Sequence, residues 1–143
     1  MNRKYIAEGL GTFTLVFVGT AVATLQGLLD QGPVGWIGIS LAFGFTLMLL
    51  VLTIGPVSGC HINPAVTLSL AAIGKFPIRK APWFVFAQLA GAIAGALLHS
   101  WIRAEGATPY GLPLPAPGIS EGQAVLLEAV LTFFLVTAVV GAA

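Results

Sequence analysis

Two acidic residues lie inside runs that are otherwise apolar, Glu8 in the stretch 5–26 and Glu128 in the stretch 123–143. A carboxylate inside a run of membrane length is costly, so each one marks a place with a polar partner. The second chemical signal is the run Ser58-Gly59-Cys60-His61-Ile62-Asn63-Pro64-Ala65-Val66-Thr67. Asn63 before Pro64 reads as a helix start, because the Asn oxygen caps the first turn and a proline at the first helical position needs no N–H partner. That helix end and the Asn63 amide would offer N–H donors to a passing neutral solute such as water, while the positive end of the helix dipole disfavours cations. Cys60 and His61 are adjacent metal-ligand types, but with no third ligand nearby no metal site or cofactor is expected. No nucleophile with a base in reach and no close carboxylate pair appears, so the chain does not read as an enzyme.

These residues must be held in a bilayer. The 143 residues are 57% hydrophobic and 8% charged, with a mean hydropathy of +0.98, outside the range of soluble domains. Six basic and five acidic residues cannot coat a soluble surface, and a net charge of +1 gives nucleic acid nothing to bind. At roughly 20 apolar residues per crossing, the chain has room for four spans. They are read at Tyr5–Gln26, Val34–Ile54, Pro82–Trp101 and Gln123–Ala143. Glu8 and the length of the first run argue against a cleaved signal peptide there. The turn Asp30-Gln31-Gly32-Pro33 ends span one, and a Pro- and Gly-rich linker, Ala104 to Ser120, separates spans three and four. Ser120 caps the last span, with Glu121 in its first turn.

Between spans two and three, Asn63 to Gly74 is too apolar for a solvated loop and too short to cross, so it reads as a half-helix that dips in and returns. Backbone of that kind at membrane depth is tolerated only against protein or a wet cavity. Arg3, Lys4, Lys75, Arg79 and Lys80 fall on one side of the bilayer and Arg103 on the other, which puts the N-terminus in the cytoplasm. The segment Ala7-Glu8 to Val16 aligns with Leu127-Glu128 to Val136 at an offset of 120, matching at Glu, Thr, Phe, Leu and Val. With three spans between the copies, the second enters the membrane inverted, the arrangement of folds that place their site at the midplane. Small residues at 87, 91 and 95 on span three admit a close neighbouring helix.

The Ser58–Thr67 run, the Ala7-Glu8 to Gly11-Thr12 opening, Ala87-Gln88 and Glu128 together resemble the first half of an aquaporin, of the major intrinsic protein family, over essentially the whole chain. The resemblance implies an all-α, aquaporin-like bundle of four spans and one re-entrant half-helix, a partial inverted repeat. Residues 1–118 would form the first repeat, and 119–143 the first span of a truncated second. It implies a passive water channel in the cell (inner or plasma) membrane, a homotetramer when full length, with this chain an incomplete half of the pore. A glycerol or small neutral solute facilitator and a non-conducting assembly fragment are the alternatives. The implied pore residues are Asn63, Pro64 and Ala65, the carbonyls of an extended Gly59, Cys60, His61 and Ile62, and Phe43 with Leu47 on the apolar wall. Glu128 would hold the loop around His61, and Glu8 the matching loop of the second half, leaving Glu8 here without its partner.

Overall fold

The computed structural model describes residues 3–28, 35–102, 114–115 and 117–142. Its long helices are α1 (Arg3–Leu28), α2 (Gly35–Ser58), α4 (Ala81–Ile102) and α5 (Glu121–Ala142), with the short α3 (Pro64–Ala72) between α2 and α4 and a 3-10 turn at Ile78–Lys80. All four long helices have the length and composition to cross a membrane, and the chain is an all-α, multi-pass membrane bundle. The turn at Asp30–Pro33 and the linker residues 104–113, with the flanking Arg103, lie outside the described residues.

The helices start and stop where side chains satisfy their open backbone groups. Asn63 is extended (φ −149°, ψ 125°) and its Oδ1 accepts from Ala65 N at 2.8 Å, the expected cap on a helix that opens with Pro64. At the other end Gly74 takes φ +78°, and the N–H groups of Lys75 and Phe76 close back on Leu70 O at 2.9 and 3.0 Å, a left-handed stop that glycine adopts without penalty. Ser120 and Gln123 cap α5 reciprocally: Ser120 Oγ accepts from Gln123 N at 3.3 Å, and Gln123 Oε1 accepts from Ser120 N at 2.9 Å. Span two runs one turn beyond its expected end. Gly55-Pro56 sits inside α2, because near a helix end the missing proline N–H costs one bond, and Gly59 N still reaches Gly55 O at 2.9 Å.

Packing centres on α1. It lies between α2 and α4, and its approach to α4 is close enough that a Cβ on Gly91 would strike the Gly9 carbonyl and one on Gly95 would lie 2.7 Å from Phe13 O. Both residue numbers rise together along these contacts, so α1 and α4 run parallel. The small stripe at 87, 91 and 95 therefore meets α1. Against α3 lies α5, with the Lys75 ammonium donating to Val140 O at 3.1 Å near its C-terminal end. Lys75 belongs to the same end of the bundle as Tyr5, since the rings of Phe76, Phe84 and Tyr5 form a continuous edge-to-face chain. Helix α5 therefore runs opposite to α1.

Candidate functional site

The five residues between the end of α2 and the start of α3 must reverse the chain inside the bundle. They do so through left-handed backbone: φ is +95° at Gly59, +51° at Cys60 and +40° at Ile62. An extended run was expected here, and the structure replaces it with a tight turn. For Cys and above all for β-branched Ile such angles are strained, and they persist only where the surroundings over-determine them. What over-determines them is Glu8. Its Oε1 accepts from His61 N at 3.0 Å and from Ser58 Oγ at 2.6 Å, and its Oε2 accepts from Ile62 N at 2.6 Å and from Gln88 Nε2 at 2.8 Å. Successive N–H groups turned to one side make a concave anion nest, and the Glu8 carboxylate, 0% exposed, fills it.

The turn is thus anchored by α1, which corrects the expectation that Glu128 holds it. Glu8 is no partnerless carboxyl but the hub of the turn. Glu128 lies instead beside Ser69, Ala129 and Thr132 in a cleft between α3 and α5. The reason is placement: α1 passes directly under the turn, held there by its contacts with α2 and α4, whereas α5 meets the half-helix along its flank.

A second layer joins the half-helix to α4. Gln88, also fully buried, donates from Nε2 to Thr67 Oγ1 at 2.9 Å as well as to Glu8. Thr67 in turn donates to Asn63 O at 3.2 Å and lies 3.1 Å from His61 Nδ1. Ser58 Oγ accepts from Cys60 N at 3.1 Å while donating to Glu8, and Thr12 Oγ1 reaches Ile62 O at 3.3 Å. Ser58, Thr67, Gln88 and Thr12 had no part in the expected site. Their signal is the one that picked out Glu8, a polar side chain within an apolar membrane run, but weaker in uncharged residues.

The predicted pore residues separate into two groups. Cys60 and Ile62 turn towards α1 and α2, where they form an apolar cluster with Leu50 against which Leu47, Leu15 and Ile54 pack. His61 points the other way, into the rings of Phe76 and Phe84 at 4.7 and 5.2 Å. Leu47 is thereby brought to the turn. Phe43, one turn along α2, is 40% exposed and covers Gly19 of α1. Among the described residues no donor reaches the carbonyls of Gly59, Cys60 or His61, and no acceptor takes up the Asn63 Nδ2 group. The arrangement offers a row of backbone acceptors followed by an amide donor at the N-terminus of a half-helix, beside the apolar wall of α2.

The whole chain, residues 1–143, matches the sequence model of a family described as Major intrinsic protein. Aquaporin AqpM of Methanothermobacter marburgensis is 36% identical over 100% of this chain and 66% of its own length. Aquaporin Z of Rhodopseudomonas palustris is 44% identical over 78% of this chain and 46% of its own length. Aquaporin NIP1-3 of Oryza sativa subsp. japonica is 39% identical over 99% of this chain and 48% of its own. The chain thus spans between about half and two thirds of the length of these relatives.

Proposed function

The chain belongs to the major intrinsic protein family, and from that footing we propose that it builds one half of a passive transmembrane pore for water. The observation that carries this reading is the pinned turn leading into the half-helix at Asn63. Acceptors at Gly59, Cys60 and His61 hold water hydrogens, and the Asn63 amide then donates to the water oxygen. Reversing the hydrogen-bond sense at that point breaks a proton-carrying chain of waters, while the helix dipole repels cations. Phe43 and Leu47 supply the apolar wall that keeps water from binding too tightly, and Phe43 in place of a bulkier Trp leans the reading towards water over glycerol. Nothing in this mechanism transforms the solute, so the protein is a channel and not an enzyme.

In this reading residues 1–118 are one repeat and 119–143 open a second, inverted one. Glu128, the counterpart of Glu8 at an offset of 120, anchors the equivalent turn of that second repeat. The full-length chain, with a pore of its own, assembles as a homotetramer in the cell membrane with Arg3 and Lys4 on the cytoplasmic side. The test is osmotic shrinkage of proteoliposomes, followed by light scattering. Background shrinkage for the 143-residue chain, with fast water flux when a complementary half is added, supports the proposal. Fast flux by the chain alone overturns the half-pore reading, equal flux of glycerol makes the pore a small-solute facilitator, and no flux in any combination leaves a membrane assembly fragment.

A further inference from the structure

Away from the turn, α1 and α4 leave an apolar groove of about 680 Å3 on their outer face. Its floor is small, with Gly9 from α1 and Ala90 and Ala94 from α4, and its walls are aromatic, with Phe13 on one side and Trp83 and Phe86 on the other. The two α4 rings are 63% and 69% exposed. From Trp83 to Ala94 the groove follows α4 for roughly 17 Å at 1.5 Å per residue, close to half of the ~30 Å hydrocarbon core and hence the depth of one leaflet. One of its ends is marked by charge. Lys4 immediately precedes Tyr5 of the groove, and Arg79 and Lys80 immediately precede α4; all three are exposed. Among the described residues none of them is paired with a carboxylate.

We propose that this groove holds one acyl chain of an anionic phospholipid, whose headgroup phosphate is bound by Lys4, Arg79 and Lys80. A neighbouring transmembrane helix would also fit an apolar face with a small-residue floor, but it has no use for three unpaired cations at the groove mouth. A lipid with a negative head and a chain one leaflet long uses both features, and basic clusters flanking membrane helices attract such headgroups at close to a factor of five per residue engaged.

Trp83 reports on the groove directly. With Trp36→Phe and Trp101→Phe it is the sole tryptophan of the full chain. This chain is reconstituted in phosphatidylcholine vesicles carrying matched amounts of phosphatidylglycerol or phosphatidylcholine with dibrominated acyl chains. The phosphatidylglycerol should half-quench Trp83 at a mole fraction at least about five-fold lower than the phosphatidylcholine, the factor for a single basic residue engaged. Lys4→Gln, Arg79→Gln and Lys80→Gln together should abolish that preference, and Ala90→Leu, at an exposed floor position, should remove the excess quenching. Equal quenching by the two lipids in the parent chain overturns the proposal, as does a preference that survives the charge substitutions. Trp83 shielded from both lipids in a chain that runs as a dimer also overturns it, assigning the face to a second copy.

Discussion

Glu8 and Gln88, eighty positions apart, meet through a 2.8 Å hydrogen bond from Gln88 Nε2 to Glu8 Oε2. Through that bond the two parallel helices share the load of the re-entrant turn: α1 supplies the acceptor for the backbone of His61 and Ile62, and α4 orients it and reaches on to Thr67 of the half-helix. Gln88 Oε1 is buried with no partner among the described residues, so the amide is oriented by its donors alone.

Removing the anchor should unfold the turn and spare the spans. Glu8→Ala leaves the buried amides of His61 and Ile62 without acceptors, at about 1–3 kcal/mol each, for a total loss of about 2–6 kcal/mol. Thermal unfolding in detergent, with hydrogen exchange at these two amides, measures it. Glu128→Ala in the same chain should leave both readouts within about 0.5 kcal/mol of the parent. The opposite ranking would restore the assignment expected from the resemblance.

The approach of α1 to α4 should be intolerant of a single methyl group. Gly91→Ala drives a Cβ into the backbone carbonyl of Gly9, and overpacking against backbone costs about 1–3 kcal/mol. Gly44→Ala on α2 meets nothing within 4 Å and should be neutral or stabilising by up to about 1 kcal/mol, the difference in helix propensity. Melting temperatures of the two variants should therefore move in opposite directions, or the first alone should fall.

Asn63→Asp keeps the cap oxygen and loses the amide donor. In a conducting assembly, replacing that donor by an anion should lower water flux about ten-fold, the worth of one hydrogen bond of ~1.4 kcal/mol, and should weaken exclusion of cations. Stopped-flow shrinkage together with a cation-leak assay checks both; unchanged flux and exclusion would remove Asn63 from the proposed mechanism.

Cys60 is the chain's single thiol and is only 7% exposed, packed with Leu50 and Ile62. Mercurial labelling of the folded chain should be slow and limited by opening of the turn. Glu8→Ala should speed it at least ten-fold, since a local stability loss of ~1.4 kcal/mol already raises the open population by that factor. Labelling that is fast in the parent and unaffected by Glu8→Ala would place the thiol on an open surface.

The spans were legible because twenty apolar residues have few other uses, and the start of α3 because Asn-Pro leaves little choice of backbone. The stripe at 87, 91 and 95 announced a close helix, though not that it would be α1. The owner of the turn was not legible: along the chain Glu8 and Glu128 occupy equivalent places, and only the path of α1 beneath residues 58–62 separates them. Nor were the left-handed angles at Cys60 and Ile62. Both residue types favour extended backbone, and the bonds that hold them otherwise come from positions 8 and 88, invisible to any local reading.

The same dependence imposes an order on biogenesis. The strained angles at Cys60 and Ile62 are tolerable only once their restraints exist. Part of those restraints, Gln88 and the Phe84 ring beside His61, is synthesised after the turn itself. A nascent chain that has delivered α1, α2 and the half-helix to the membrane therefore carries a turn that has not yet set, and the docking of α4 completes it. Chains arrested before residue 84 should leave the amides of His61 and Ile62 open to exchange, and chains arrested after α4 should close them.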